Sequence, residues 1–277
     1  MSTETEPPTL EFDCRAGIWF ARLNRPERRN ALSEKILQSM LSLCTRIEQE
    51  TQSRALVLWG AGGHFCAGAD TSRLLGMIEQ PTDQRGDPLA RHNRTFGTVL
   101  ERLRALPVPT IAVVRGSAIG GGCGLAATCN HVLATEDALF SMPEVTLGVA
   151  PAQIAPFIAE RVGQAKARWL LICGEPMNAR RAQEIGLADV VVPTAELHAA
   201  VSSALRSVLK AEPEAVRATR GLLRALDEHV LAAVLDHGSA EFARLVRYGA
   251  VRAGLAAMRE RRTPAWVVDL PDLPEFL

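Results

Sequence analysis

Short apolar runs alternate with amphipathic helical stretches through the first two thirds of the chain. The strand-length runs occupy residues 18–23, 54–60, 110–114, 131–135 and 188–193. Helical periods of apolar residues separate them, one beginning after Ser33 as a helix cap and another covering residues 91–106. Continuous apolar strands joined through helices are typical of parallel sheets that are buried on both faces. The alternation therefore predicts an α/β protein.

The pattern changes after Pro193. Residues 194–262 have a helical period, and the sequence predicts breaks near Pro213, Gly238, Gly249 and Gly254. We expect an α/β core over residues 1–195 and a helical C-terminal region over residues 196–277. Residues 79–91 are polar and contain proline and glycine, which indicates a mobile loop or lid.

The composition argues against several classes of function. The 277 residues carry 31 basic and 31 acidic side chains, so the chain lacks the basic excess typical of nucleic-acid and anionic-membrane binders. Six scattered cysteines have no metal-ligand spacing, which favours free thiols in a reducing compartment. The N-terminal segment is polar and acidic, and no apolar run approaches the roughly 20 residues of a membrane helix. We expect a cytoplasmic protein that binds no metal, nucleic acid or membrane.

A glycine cluster, IGGGCGLA, covers residues 119–126 between a predicted strand and a short predicted helix. A loose GxGxxA phosphate pattern begins at Gly122, but RGSAI separates it from the strand that should deliver its first glycine. A plain packing contact on glycine is another explanation. Glycines at a helix N-terminus also let a ligand approach free N–H groups, which makes an oxyanion site. A second small-residue loop, GGHFCAGAD, follows the strand at residues 54–60 and leads into a helix that Asp70 is expected to cap. The two loops could bind one oxygen from two sides.

Several motifs occur together in a fixed order. They are LNRPERRNAL (23–32), FCAGAD (65–70), PTIAVVRGSAIGGGCGLAATC (109–129), FSMPEVTLGVAP (140–151) and GLAAMRERRTPAW (254–266). This set resembles the crotonase, or enoyl-CoA hydratase/isomerase, superfamily over nearly the whole chain. The resemblance implies a spiral of ββα units with a helical C-terminal trimerisation region, assembled as a homotrimer or hexamer.

The same resemblance implies a site for an acyl-CoA thioester, with CoA as part of the substrate and no separate cofactor. The backbone N–H groups of Ala69 and Gly121 match the pair that holds the thioester oxygen as it becomes an enolate. Glu144, in the MPEV motif, matches a glutamate that moves the α proton. Residues that match the family's substrate and CoA contacts are Ala31, Ala67, Ala69, Asp70, Gly120 and Gly121.

The chain departs from the family pattern at one catalytic position. Many hydratases of the family carry a second glutamate where this sequence has Gly124. A lone Glu144 can act at the α carbon if an apolar pocket raises its pKa. We expect hydration of a 2-enoyl-CoA, because the segment after Glu144 is similar to enzymes acting on 3-methylglutaconyl-CoA or isoprenoid homologues. A Δ3,Δ2-enoyl-CoA isomerase with one glutamate and a non-catalytic CoA-binding homologue are the alternatives.

The remaining polar and thiol candidates have simpler interpretations. Cys66 and Cys123 lie near the two expected donors, but no base is evident beside either, so we expect packing residues. Asp83, Asp87 and His92 fall in or beside the expected lid and are interpreted as solvated. One of them could position water if the lid closes.

Overall fold

The computed structural model describes residues 7–83, 86–225, 231–248 and 251–264. In chain order its strands are β1 (Leu10–Arg15), β2 (Ile18–Leu23), β3 (Ala55–Gly60), β4 (Thr110–Val114), β5 (Ser117–Ile119), β6 (His131–Thr135), β7 (Leu139–Ser141), β8 (Met177–Asn178) and β9 (Val190–Val192). Its helices are α1 (Glu34–Gln49), α2 (Thr71–Met77), α3 (Pro88–Ala105), α4 (Gly121–Thr128), α5 (Ala155–Val162), α6 (Gln164–Cys173), α7 (Ala179–Ile185), α8 (Leu197–Lys210), α9 (Pro213–Ala225), α10 (Leu231–Tyr248) and α11 (Val251–Arg259).

Two sheets organise the described residues. The larger sheet has the order β1-β2-β3-β4-β6-β9, in which β1 is antiparallel to β2 and all other neighbours are parallel. The smaller sheet has the order β5-β7-β8, and β5 pairs with β7 in parallel. Strands β2, β3, β4, β6 and β9 are the predicted runs, so the α/β prediction is confirmed. The sequence did not predict β1 or the smaller sheet.

The larger sheet is buried on both faces, as its apolar strands require. Leu56 and Leu58 of β3 belong to the main core, together with buried side chains of α1, α3 and α4. Ala55 and Val57 point to the opposite face, against which α8 packs its apolar residues. The alternation along β3 therefore holds helices on the two sides of one sheet.

The C-terminal helices pack on this core. Helix α10 lies against α3, and α11 lies against a 3-10 turn over Pro143–Leu147. The predicted breaks at Gly238 and Gly254 are wrong, because both residues lie inside helices. A Cβ on Gly238 would lie 2.9 Å from the Ala152 carbonyl oxygen, so this glycine allows close packing and does not interrupt α10. Pro213 does begin a helix, Gly249 lies outside the described residues, and the division at residue 195 stays a prediction.

Helix α3 begins earlier than the apolar pattern predicts. Its first residue is Pro88, and the carboxylate of Asp87 accepts a hydrogen bond from Leu89 N at 2.8 Å. An acidic cap followed by proline is a strong start signal, which extends the helix into the expected lid. Within the described part of the chain, no helix is long and apolar enough to cross a membrane.

Candidate active site

A cavity of about 250 Å³ lies where the loops after β3 and β5 meet α3, α10 and α11. Its walls are mostly apolar, and the 3-10 turn that carries Glu144 forms one side. A concave, mainly apolar pocket with a few convergent polar groups is the usual form of a small-molecule site. The glycine cluster and the CAGAD loop both line this cavity.

Backbone hydrogen bonds hold the two loops side by side. Cys66 N donates to Ser117 O at 3.0 Å, and Ile119 N donates back to Cys66 O at 2.9 Å. Gly68 lies against the second loop, where a Cβ would come within 2.7 Å of Ile119 O and 3.4 Å of Gly121 N. Its φ of +82° is also one that glycine adopts without strain. Glycine at position 68 therefore permits the close approach of the two loops.

Two N–H groups at this junction have no acceptor within the part of the chain that the structure describes. The neighbouring amides are used: Gly120 N donates to Ser141 O at 2.7 Å, and Asp70 N donates to Leu32 O at 3.3 Å. Ala69 N and Gly121 N donate to no atom of the described residues. Gly121 is buried, and a buried backbone N–H group is rarely left without a partner. With Ala69 N beside it on the wall of the cavity, the two donors are available to one ligand oxygen.

Glu144 lies next to these donors. A Cβ on Gly120 would be 2.8 Å from Glu144 Oε1, so the glycine leaves room for the carboxyl group. Glu144 Oε2 is buried and has no hydrogen-bond partner among the described residues. Burial raises the pKa of Glu144 to about 7. A carboxyl group that titrates near neutrality can both donate and accept a proton at the operating pH.

The space beside Gly124 is filled by apolar side chains. A Cβ on Gly124 would lie 2.5 Å from Ile154 Cγ2 and 3.5 Å from Leu100 Cδ1. A longer side chain at position 124 therefore has no room in this arrangement. The apolar side chains around Gly124 therefore occupy the space that a glutamate at this position would need.

Helix α3 contributes polar groups to the cavity from a single face. His92, Asn93 and Phe96 all line it, and His92 Nδ1 lies 3.1 Å from Glu34 Oε2. The expectation that His92 is solvated is wrong, because its side chain is only 21% exposed. The signal was present in the sequence, since His92 and Phe96 are four residues apart and share one face of the helix.

The other acidic candidates do not line the cavity. The expectation that Asp87 is solvated is also wrong, because its side chain is 21% exposed and Arg247 Nη2 donates to Asp87 Oδ1 at 2.6 Å. This hydrogen bond lowers the pKa of Asp87. Arg247 also donates to Gln80 O at 2.6 Å, which attaches the described part of the expected lid to α10. Asp83 accepts from Arg91 at 2.8 Å. Residues 84 and 85 of the expected lid lie outside the described residues.

The two cysteines beside the loops are buried thiols. Burial raises the pKa of Cys66 to about 12 and raises the pKa of Cys123 well above its usual range. Cys123 Sγ donates to Ala118 O at 2.9 Å. A thiol that stays protonated at neutral pH is a poor nucleophile, which agrees with the packing interpretation.

The structure brings most of the predicted binding residues together. Those that line the cavity are Ala67, Ala69, Asp70, Gly120 and Gly121. Ala31 lies behind this wall, where its carbonyl oxygen accepts from Arg25 Nη1 at 2.8 Å. The same Arg25 nitrogen donates to Asp70 Oδ2 at 3.1 Å. Asp70 occupies the N-cap position of α2, but its side chain makes no capping hydrogen bond among the described residues, so the expected cap is wrong in this respect.

Comparison with known proteins gives these features a family. The family model described as enoyl-CoA hydratase/isomerase matches residues 13–268. The chain belongs to this family. A putative enoyl-CoA hydratase of Thermus thermophilus is 32% identical over 242 residues, which cover 87% of this chain and 94% of the relative. The 2,3-dehydroadipyl-CoA hydratase of Escherichia coli is 33% identical, covering 87% and 92%.

A solved structure has the same fold. It is an enoyl-CoA hydratase/isomerase from Marinobacter aquaeolei, 35% identical to this chain, and the match covers 93% of this chain and 98% of the other. The TM-score is 0.76. The predicted crotonase fold is confirmed, and the protein is an enzyme of the enoyl-CoA hydratase/isomerase family.

Proposed function

We propose that this family member adds water to a 2-enoyl-CoA thioester through an enolate intermediate. The observation that carries the proposal is a pair of backbone N–H groups, those of Ala69 and Gly121, next to the buried carboxyl group of Glu144. Neither N–H group has an acceptor among the described residues. Two donors for an oxygen and one acid–base group for a neighbouring carbon are what this reaction requires. The Thermus thermophilus and Escherichia coli relatives are both named as hydratases.

The first step polarises the thioester carbonyl group. Its oxygen accepts hydrogen bonds from Ala69 N and Gly121 N. As a water oxygen bonds to the β carbon, the π electrons move through the α carbon to the thioester oxygen, and an enolate forms. A donor of this kind is typically worth about 3–4 kcal/mol of barrier. The apolar walls of the cavity strengthen both hydrogen bonds because they exclude water.

The second step returns the electrons to carbon. Glu144 in its acid form gives its proton to the α carbon, and the enolate collapses to a thioester. The water oxygen loses its second proton to solvent, and a 3-hydroxyacyl-CoA results. The pKa of about 7 makes the acid form available near neutral pH. After release of the product, Glu144 regains its proton from solvent. The reverse reaction uses the carboxylate form as the base.

A second reaction, the conversion of a 3-enoyl-CoA to a 2-enoyl-CoA, is favoured by the filled space at Gly124. Ile154 leaves Glu144 without a carboxylate partner at that position. A single glutamate can take a proton from the α carbon and return it to the γ carbon without any water. The oxyanion pair would stabilise the dienolate in the same way.

Isotope labelling separates the two reactions. In ¹⁸O-water, a hydratase gives a 3-hydroxyacyl-CoA that carries the label, whereas an isomerase moves the double bond without incorporating label. Glu144→Gln tests the catalytic role of Glu144, and full turnover by this variant would show that this assignment is wrong. A wild-type protein that turns over no enoyl-CoA would be left with a CoA-binding role. A screen of linear, branched and carboxylated enoyl-CoAs by mass spectrometry identifies the acyl group.

We propose a branched acyl group, 3-methylglutaconyl-CoA or an isoprenoid homologue, as the substrate. The supporting observation is the similarity of the segment after Glu144 to enzymes with such substrates. The Escherichia coli relative is named for 2,3-dehydroadipyl-CoA, which is also a carboxylated enoyl-CoA. Higher kcat/KM for linear enoyl-CoAs than for these branched compounds would contradict this assignment.

We also propose that the chain assembles as a homotrimer or hexamer. An apolar patch supports this: Trp169 is 66% exposed, Ile172 is 70% exposed and Met258 is 47% exposed. Ile172 and Met258 line an open groove of about 560 Å³, and Met258 also lines the cavity that holds Glu144. A second copy on this patch would cover exposed apolar area and would narrow the mouth of the cavity.

A further inference from the structure

We propose that His92, oriented by Glu34, is the base that activates the attacking water. The inference rests on the hydration reaction proposed above and adds a second acid–base group to it. Hydration requires a group that removes a proton from water as its oxygen approaches the β carbon. Position 124 has no such group, and Ile154 fills the space beside it.

Few titratable residues that line the cavity are candidates for this base. Among the described residues they are Asp70, His92 and Glu144. Asp70 is held by Arg25, whose Nη1 donates to it at 3.1 Å. Glu144 serves the α carbon in the proposed reaction. His92 is the remaining group of this set, and a neutral imidazole is the side chain best suited to removing a proton at neutral pH.

Glu34 fixes the orientation of the His92 ring and the nitrogen that carries its proton. It is the first residue of α1, and its Oε2 lies 3.1 Å from His92 Nδ1. A carboxylate at Nδ1 keeps the ring proton on that nitrogen, so the lone pair of Nε2 is available to a water molecule. An imidazole oriented by a carboxylate is the arrangement by which many enzymes position a base.

The register of α3 puts His92 on the cavity wall, on the same helix face as Phe96. Phe96 lies one turn further along the helix, and its Cζ is 3.1 Å from the point that a Cβ on Gly121 would occupy. Residues four apart on a helix have Cβ atoms about 5–6 Å apart. His92 is therefore one helical turn from a side chain that touches the oxyanion donor.

The step balances without any further reactant. Nε2 of His92 takes one proton of the water while the water oxygen bonds to the β carbon, and the π electrons move to the thioester oxygen. Glu144 then gives its proton to the α carbon. The product leaves a protonated His92 and an ionised Glu144, and proton exchange with solvent restores both. Glu34 acts through His92 and is a positioning residue.

The experiment compares two reactions of the same protein. Hydration needs both groups, whereas exchange of the α protons of butyryl-CoA with ²H₂O needs only Glu144 and the oxyanion pair. We expect His92→Gln to lose about 100-fold or more in hydration kcat while the exchange rate is unchanged. Glu144→Gln loses both reactions. His131→Gln is the matched control, because His131 Nδ1 lies 3.4 Å from Asp189 Oδ2 and does not line the cavity.

Three results would overturn the inference or its basis. If His92→Gln hydrates as fast as the wild type, His92 is not the base. If it loses exchange and hydration to the same degree, His92 supports the structure around Glu144 and is not the base. If the wild type moves double bonds but incorporates no ¹⁸O, the proposed hydration itself is wrong.

His92→Asn, checked by its unfolding midpoint, replaces the glutamine variant if that variant does not fold. Glu34→Gln is expected to lower kcat and leave KM unchanged.

Discussion

Ile154 lies over Gly124, with its Cγ2 only 2.5 Å from the point that a Cβ on Gly124 would occupy. The contact joins the middle of α4 to the residue just before α5. Both residues are buried, so neither can move without disturbing the core. The missing glutamate and its apolar neighbour are therefore one structural feature.

This contact predicts a strong coupling between the two positions. Gly124→Ala overpacks the core and is expected to destabilise the protein by about 1–3 kcal/mol in urea unfolding. Ile154→Ala removes Cγ2, so the double variant should be more stable than the sum of the two single effects. Gly221→Ala is the control, because Gly221 lies in α9 with open space around it. Strict additivity at positions 124 and 154 would contradict the contact.

Gly120 predicts a loss of activity through Glu144. An alanine there would bring its Cβ within 2.8 Å of Glu144 Oε1, and its φ of +51° disfavours any side chain. We expect Gly120→Ala to displace the carboxyl group and to reduce kcat by about 100-fold. Turnover of the most active enoyl-CoA measures this effect.

Gly63→Ala is the matched control for that variant. Gly63 also has a positive φ, +77°, but no atom of the described residues lies within 4 Å of its Cβ position. It should carry a similar backbone strain while leaving the Glu144 carboxyl group in place. Equal losses of activity in the two variants would mean that strain, and not contact with Glu144, is responsible.

The buried carboxyl group of Glu144 predicts a dependence of stability on pH. Its pKa rises from 4.5 to about 7 on folding, so the folded state binds its proton more tightly than the unfolded state. The contribution of Glu144 to the free energy of unfolding is therefore fully present below pH 4.5 and is lost as the pH rises through 7. Above pH 7, Glu144→Gln should be more stable than the wild type by up to about 3 kcal/mol.

Urea titrations of the two proteins across this range measure the difference. At acidic pH, where Glu144 is protonated in both states, the two free energies of unfolding should converge. In the wild type, the rate of α-proton exchange should rise with pH through about 7, because the base form removes the proton. A gap in stability that does not change with pH would show that Glu144 titrates normally.

Five strands of the larger sheet and the two small-residue loops beside the cavity could be predicted from the sequence, because both depend on local patterns. Apolar runs of strand length gave β2, β3 and β4, and the order of motifs pointed to the family fold. Gly238 and Gly254 misled the prediction of helix ends, since a glycine that permits close packing and a glycine that ends a helix look alike in a sequence.

The finer parts of the site depend on contacts between distant segments. No sequence pattern around Gly124 indicates that Ile154 fills the space beside it. No pattern around His92 indicates that Glu34 contacts its ring. Such pairs arise when α3, α4 and the segment before α5 pack together. The residues that line the cavity could be predicted individually from their motifs, but their partners could not.

The apolar patch on α6 and α11 predicts that assembly and activity are linked. Ile172→Glu places a charge on the patch and should convert the assembly to monomers in analytical ultracentrifugation, because burying an unpaired carboxylate at an interface is costly. The monomer should have a higher KM, because no second copy would then narrow the mouth of the cavity beside Met258. Leu209→Glu, on α8 and 40% exposed, is the control. If Leu209→Glu dissociates the protein and Ile172→Glu does not, the interface lies on the face of α8 and the cavity does not depend on assembly.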